Sequence, residues 1–147
     1  MNLENTVVIV ADLGELKAYQ VERHEGVAGN EMKISHSLTL LNDEAFIEGR
    51  KKIGEVMSDT VGKKGQGTLE SPHLQSEREK RTVKDIAADI EAIVNHFRPE
   101  QLFLAFPKEH NNELLHEMGE ASRALLKKNI TSDLVKTDKN RILSHFE

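Results

Sequence analysis

The sequence contains no cysteine and no tryptophan. Without Cys there are no disulfides, thiolate metal sites or cysteine nucleophiles, and the chain suits a reducing compartment. Aromatic residues are scarce, one Tyr and five Phe, so Leu, Ile, Val and Ala must build the core. The run Val7-Val8-Ile9-Val10-Ala11 is too short for a membrane span or a signal core. The start, Met1-Asn2-Leu3-Glu4-Asn5, lacks the basic residues of a secretory signal. These absences predict a cytoplasmic protein with no membrane segment.

Hydrophobic residues make up 37% and charged residues 31% of 147 residues, which suits one domain over 1–147 with one modest core. The net charge of -5 argues against nucleic-acid binding by the chain as a whole. The charge is unevenly placed, however. Gly49 to Lys84 holds nine Lys/Arg against five Asp/Glu, and the rest holds eleven against twenty. A basic middle therefore lies between acidic flanks.

The patterning predicts an α/β fold, a single mixed sheet with packed helices. Thr6 to Asp12 is a β-branched run suited to a strand buried on both faces. Leu13-Gly14 is a turn, and Glu15 to Val21 alternates as a half-buried second strand of a hairpin. Gly26 to Asn30 is expected as a loop, Met32 to Leu41 as a third strand and Asn42 to Glu55 as a short helix. Ser58 to Ser71 carries three Gly and no apolar periodicity, and is expected to be a mobile loop.

A long helix follows, starting near Ser71-Pro72 or at a Ser76–Glu79 capping box. Val83, Ile86, Ala87, Ile90, Ile93, Val94 and Phe97 form its apolar stripe, and Pro99 stops it. Gln101 to Phe106 predicts a buried strand that shares the hairpin's sheet. Helices are expected over Glu109 to Met118 and Glu120 to Lys128, then an edge strand over Ile130 to Val135. A last helix over Asp138 to Phe146 is capped by Asp138.

Several catalytic and ligand motifs are missing. No Gly-Lys-Ser/Thr completes a phosphate loop around Gly62 to Thr68. Asp12 sits where a ribonuclease-H-like enzyme places its first carboxylate, but two metals need several oxygen ligands. Gln101 to Phe106 supplies none, so Asp12 reads as a turn residue. His110 and His116 lie six residues apart, about 240° around a helix, which is poor metal geometry. Gly-x-Ser-x-Gly is absent. No metal site and no cofactor are expected.

Several segments in order resemble the bacterial family of proteins required for attachment to host cells. They are Val8-Ile9-Val10-Ala11-Asp12-Leu13-Gly14-Glu15-Leu16-Lys17-Ala18, then Ser58-Asp59 with Gly62-Lys63, then the helix start Ser71-Pro72-His73-Leu74. Leu102-Phe103-Leu104-Ala105-Phe106-Pro107 and the paired Leu114-Leu115 complete the order. That family is similar to the middle domain of archaeal and eukaryotic class-I release factors, which implies a ribonuclease-H-like, translation-component topology. In that domain a Gly-Gly-Gln loop lies between a strand and a long helix. Lys64-Gly65-Gln66-Gly67 holds the corresponding place here, with Lys64 in the first Gly position.

The resemblance implies a ribosome or transfer RNA as partner. The basic stretch supplies candidate RNA-binding residues Lys63, Lys64, Arg78, Lys80 and Arg81. The expected function is that of a noncatalytic, translation-linked binding domain. One alternative is a peptidyl-transfer-RNA ester hydrolase using Gln66 with Gly65 and Gly67, whose backbone N–H would stabilise the oxyanion. A further alternative is an indirect role in attachment to host cells. The residues leave the oligomeric state open.

Overall fold

The structure, a computed structural model, describes residues 3–46 and 72–147. Strand β1 (Thr6–Ala11) is buried along its whole length, as its β-branched run requires. It pairs antiparallel with β2 (Glu15–Ala28), which pairs antiparallel with β3 (Glu31–Ala45). On the other side β1 runs parallel to β4 (Gln101–Ala105), and β4 runs parallel to β5 (Leu126–Ile130). The result is one five-stranded mixed sheet in the order β3-β2-β1-β4-β5.

Helix α1 (Pro72–Phe97) precedes β4. Its residues Val83, Ile86, Ala87, Ile90, Ile93 and Val94 pack on the sheet face formed by Val7, Ile9, Leu16, Leu102 and Leu104. Helix α2 (Lys108–Glu117) covers the same face through Leu114, and α3 (Glu120–Leu125) follows it. The opposite face carries Val8, Val10, Tyr19, Val21 and Phe103. It is covered by Leu134 and Val135, by Ile142 of the short helix α4 (Lys139–Ile142) and by Phe146 of the 3-10 turn after it. Helices on both faces of a central sheet bury the two-sided apolar runs of β1 and β4. The hairpin, the strand from Gln101 and the long helix thus share one core.

Helix α1 ends where Arg98 turns left-handed at φ 48°. Its N–H still reaches the Val94 carbonyl at 2.9 Å, and Pro99 then prevents continuation. Asp138 caps α4, accepting from the Asn140 N–H at 2.9 Å. Gly119 begins α3 for a different reason. Its N–H donates to Glu91 Oε1 at 2.7 Å, and a Cβ there would lie 2.9 Å from that same oxygen. A carboxylate of α1 thus closes onto the backbone of the α2–α3 junction.

Four boundaries differ from the sequence expectation. The loop over Gly26 to Asn30 shrinks to two residues, because β2 runs to Ala28 and β3 starts at Glu31. Gly29 takes φ 69°, and positive φ at the first position of a two-residue turn is the type II′ arrangement that Gly allows. Asn42 to Ala45 is strand, not helix, since it pairs with Glu15 to Ala18. Leu41 is an extra residue opposite the Ala18–Tyr19 step, and this bulge breaks the period-two pattern. Residues 47–55 of that expected helix lie outside the described residues, as does the loop over 58–71.

The helix expected over Glu120 to Lys128 ends at Leu125, and the edge strand is Leu126–Ile130 rather than Ile130 to Val135. Pairing with β4 outweighs the weak strand propensity of Lys127, Lys128 and Asn129. Leu134 and Val135 are buried without belonging to a strand.

Candidate functional site

The candidates divide between described and undescribed residues. Lys63, Lys64, Gly65, Gln66 and Gly67 lie outside the described residues. Arg78, Lys80 and Arg81 lie on the N-terminal half of α1. Lys80 and Arg81 are exposed and Arg78 is half-buried. Arg78 and Arg81, three residues apart, are neighbours on the helix surface. Lys80 points about 200° away from Arg78, one turn before the exposed Lys84. The cations therefore wrap around the outward part of α1 rather than forming one row. Thr82 turns inward, and its hydroxyl donates to the Arg78 carbonyl at 3.0 Å.

A second arrangement escaped the sequence reading. Glu44, near the end of β3, faces Asp89 of α1 across a cleft of roughly 420 Å³ lined also by Phe46, Thr82 and Asp85. Burial pushes the Asp89 carboxyl up to about 7, helped by a hydrogen bond with Glu44 and by the charges of Glu44 and Asp85. A signal was present, since Asp89 stands three residues after Ile86 and four before Ile93, on the flank of the apolar stripe.

The sign of this shift gives a prediction. The folded state holds a proton on Asp89 that the unfolded chain releases near the usual carboxylate pKa of about 3.9. The stability that Asp89 contributes is therefore full at low pH and is lost as pH rises through that interval toward 7. Asp89→Asn should leave the urea midpoint nearly unchanged at pH 4. At pH 8 it should raise stability by about 1 kcal/mol, a discounted figure because the groove is open to solvent. Equal effects at the two pH values would show that Asp89 does not hold this proton.

A second carboxylate pair lies at the end of β1. Asp12 Oδ1 accepts from the Gly14 and Glu15 amides at 2.7 and 2.8 Å, which makes Asp12 the turn residue expected of it. Asp133, after β5, meets the Asp12 carboxyl. Burial raises its pKa first, and the hydrogen bond and charge of Asp12 add to this; the Val135 N–H and Lys136 oppose it. Lys17 Nζ donates to the Val135 carbonyl at 3.2 Å. These contacts fasten the loop after β5 to the first hairpin. Asp133 was missed because it lies beyond a strand end, and only the parallel pairing of β1, β4 and β5 brings it near Asp12.

The histidines separate as their spacing implied. His110 is half-buried between Glu79 of α1, at 3.4 Å, and Glu113, at 3.3 Å. His116 is exposed. Asn111 is buried and exchanges hydrogen bonds with Asn129 at 3.0 and 2.8 Å while donating to the Phe106 carbonyl. These side chains hold α2 against α1 and the strand ends.

No described helix is long and apolar enough to cross a membrane. A search of curated proteins finds no match. A family model described as "Protein required for attachment to host cells" matches residues 7–146, which is nearly the whole chain, and the protein belongs to that family.

Proposed function

We infer that this protein is a noncatalytic, cytoplasmic binding domain that contacts the ribosome or transfer RNA through its basic middle segment, and that its link to host attachment is indirect. One observation carries the reading. The outward part of α1 presents Arg81 and Lys84, with Lys80 and the half-buried Arg78 on its flanks and the acidic Glu77 and Asp85 among them, and the stretch bearing Lys63 and Lys64 leads into that helix. Local concentration of cations is what a chain of net charge -5 needs to approach phosphate. The five-stranded mixed sheet with a long helix after its third strand supports the likeness to the release-factor middle domain, with its translation-component topology. Glu44 and Asp85, which line the cleft beside Asp89, would repel a phosphate backbone there, which directs RNA away from the cleft.

Binding to ribosomes or transfer RNA should weaken steeply with salt. Lys63→Glu combined with Lys64→Glu should lower the slope of log affinity against log salt by about 2. Unchanged binding by the double variant would remove the segment from the footprint, and absence of binding by the parent would end the reading. In the same preparation, release of peptide from peptidyl-transfer-RNA should be absent, and Gln66→Ala should change nothing. Removal of one oxyanion donor alone costs about 100- to 1,000-fold in rate, and Lys64 displaces the first Gly of the release-factor loop. Release by the parent that is lost in Gln66→Ala would make the protein an ester hydrolase instead.

A further inference from the structure

The β2–β3 hairpin is much longer than the sheet it joins. Strand β1 pairs with β2 only between Leu16 and Gln20, whereas the β2–β3 ladder continues out to Ala28 and Glu31. Residues 22–36 are exposed, so the far half of the hairpin is a two-stranded arm. The side that buries Tyr19, Val21 and Leu38 continues along it, where Arg23 and Glu25, ion-paired at 3.0 Å, and His36 sit among its apolar residues. Val27, Met32, Ile34 and Leu40 fall on that same side of the ribbon and are 77%, 67%, 50% and 49% exposed. Only one other large apolar side chain among the described residues, Leu74, is as open. The other side is polar, with His24 bonded to Ser37 at 2.6 Å.

The outer edge of β3 compounds this exposure. Strand β3 ends the sheet order, so no strand among the described residues pairs with that edge over its 15 residues. Protected edges are short or carry proline, bulges or inward charges. From Met32 to Leu40 this edge has no proline, its bulge comes only at Leu41, and Lys33 is its one full charge.

The sequence of that edge is symmetric in polarity about His36: Met-Lys-Ile-Ser-His-Ser-Leu-Thr-Leu. An antiparallel copy related by a two-fold axis at His36 opposes Met32 with Leu40 and Ile34 with Leu38 on the apolar side. It opposes Lys33 with Thr39 and Ser35 with Ser37 on the polar side. Between Met32 and Leu40 no fixed like charges meet and no apolar residue faces a charged one; just beyond, Glu31 falls opposite the bulge residue Leu41. A one-residue slip would place each apolar side chain on the wrong side. Self-complementarity under a two-fold is the property an isologous interface requires.

We propose that the protein forms a homodimer by antiparallel pairing of β3 with β3 of a second copy, centred on His36, which makes one continuous sheet across two molecules. The pairing sets each arm tip beside the base of the other hairpin. There the same sheet face carries α4, which lies against β3. Met32 then loses water against Leu40 of the second copy, which is 49% exposed in one chain. The proposal does not depend on the RNA-binding reading.

The test uses the full chain. Light scattering after gel filtration should give twice the 16.6 kDa of one chain. Because the chain has no cysteine, His36→Cys introduces a single thiol opposite its own copy, with Cβ atoms about 4.5–5.5 Å apart. A short thiol-bridging reagent should link it into a covalent dimer. Lys33→Cys, also exposed, would lie about 20 Å from its copy, six residues along the paired strands, and should stay unlinked. Far-UV circular dichroism checks that both variants keep the fold. A parent that remains monomeric up to its solubility limit overturns the proposal. So does a dimer in which Lys33→Cys links as readily as His36→Cys, or in which His36→Cys does not link.

Discussion

Phe103→Ala should lower the unfolding free energy by about 3–5 kcal/mol, the range for emptying a buried aromatic site. Phe103 sits on β4 with 2% of its surface exposed, between β1 and β5. Its ring stacks on Phe146 with centroids 5.3 Å apart at 26°, and the Lys128 ammonium lies 6.0 Å from its centroid. Lys128 also donates to the Phe146 carbonyl, so the C-terminal turn is fixed by the same group of residues. Loss of the ring removes the apolar contact and the surface on which Phe146 rests. Urea unfolding followed by circular dichroism measures the loss. A change under 1 kcal/mol would show that the C-terminal turn does not pack here.

Ile90→Ala should cost about 2–5 kcal/mol by the same measurement. Ile90 is fully buried at the middle of the α1 stripe, within the cluster on the other side of the sheet. A midpoint unchanged within error would mean that this face of α1 meets water. The two sites occupy opposite faces of one sheet and belong to separate clusters. Their costs should add to within about 0.5 kcal/mol in the double variant, since distant sites without shared partners are independent.

Elements with strong periodicity were legible in the sequence. The β-branched run of β1, the apolar stripe of α1 and the Asp138 cap identify their elements with no neighbours known. The misplaced elements are those whose state depends on a partner strand. Leu126 to Ile130 has little strand propensity and becomes β5 because β4 offers it a ladder. Asn42 to Ala45 continues β3 because Glu15 to Ala18 lies opposite, and the Leu41 bulge hides the alternation. The candidate site divides the same way. Arg78, Lys80 and Arg81 are visible as a local run of charge on one helix. Asp89 with Glu44, and Asp12 with Asp133, are pairs made only by tertiary structure, so scanning one segment at a time finds half of each.

The parallel pairing of β1 with β4 also has a consequence for synthesis. Thr6 lies opposite Gln101, with 95 residues of separation. The β1–β2–β3 meander is local and can close as soon as it leaves the ribosome. One flank of β1, the most apolar strand of the sheet, then waits for β4. At about 5–20 residues per second, that flank stays open for roughly 5–20 seconds in every nascent chain. During that interval an unpaired, β-branched edge is a template for any other extended segment nearby. A chaperone that recognises short aliphatic stretches has its best opportunity on this protein at Val7 to Ala11, before α1 and β4 have emerged.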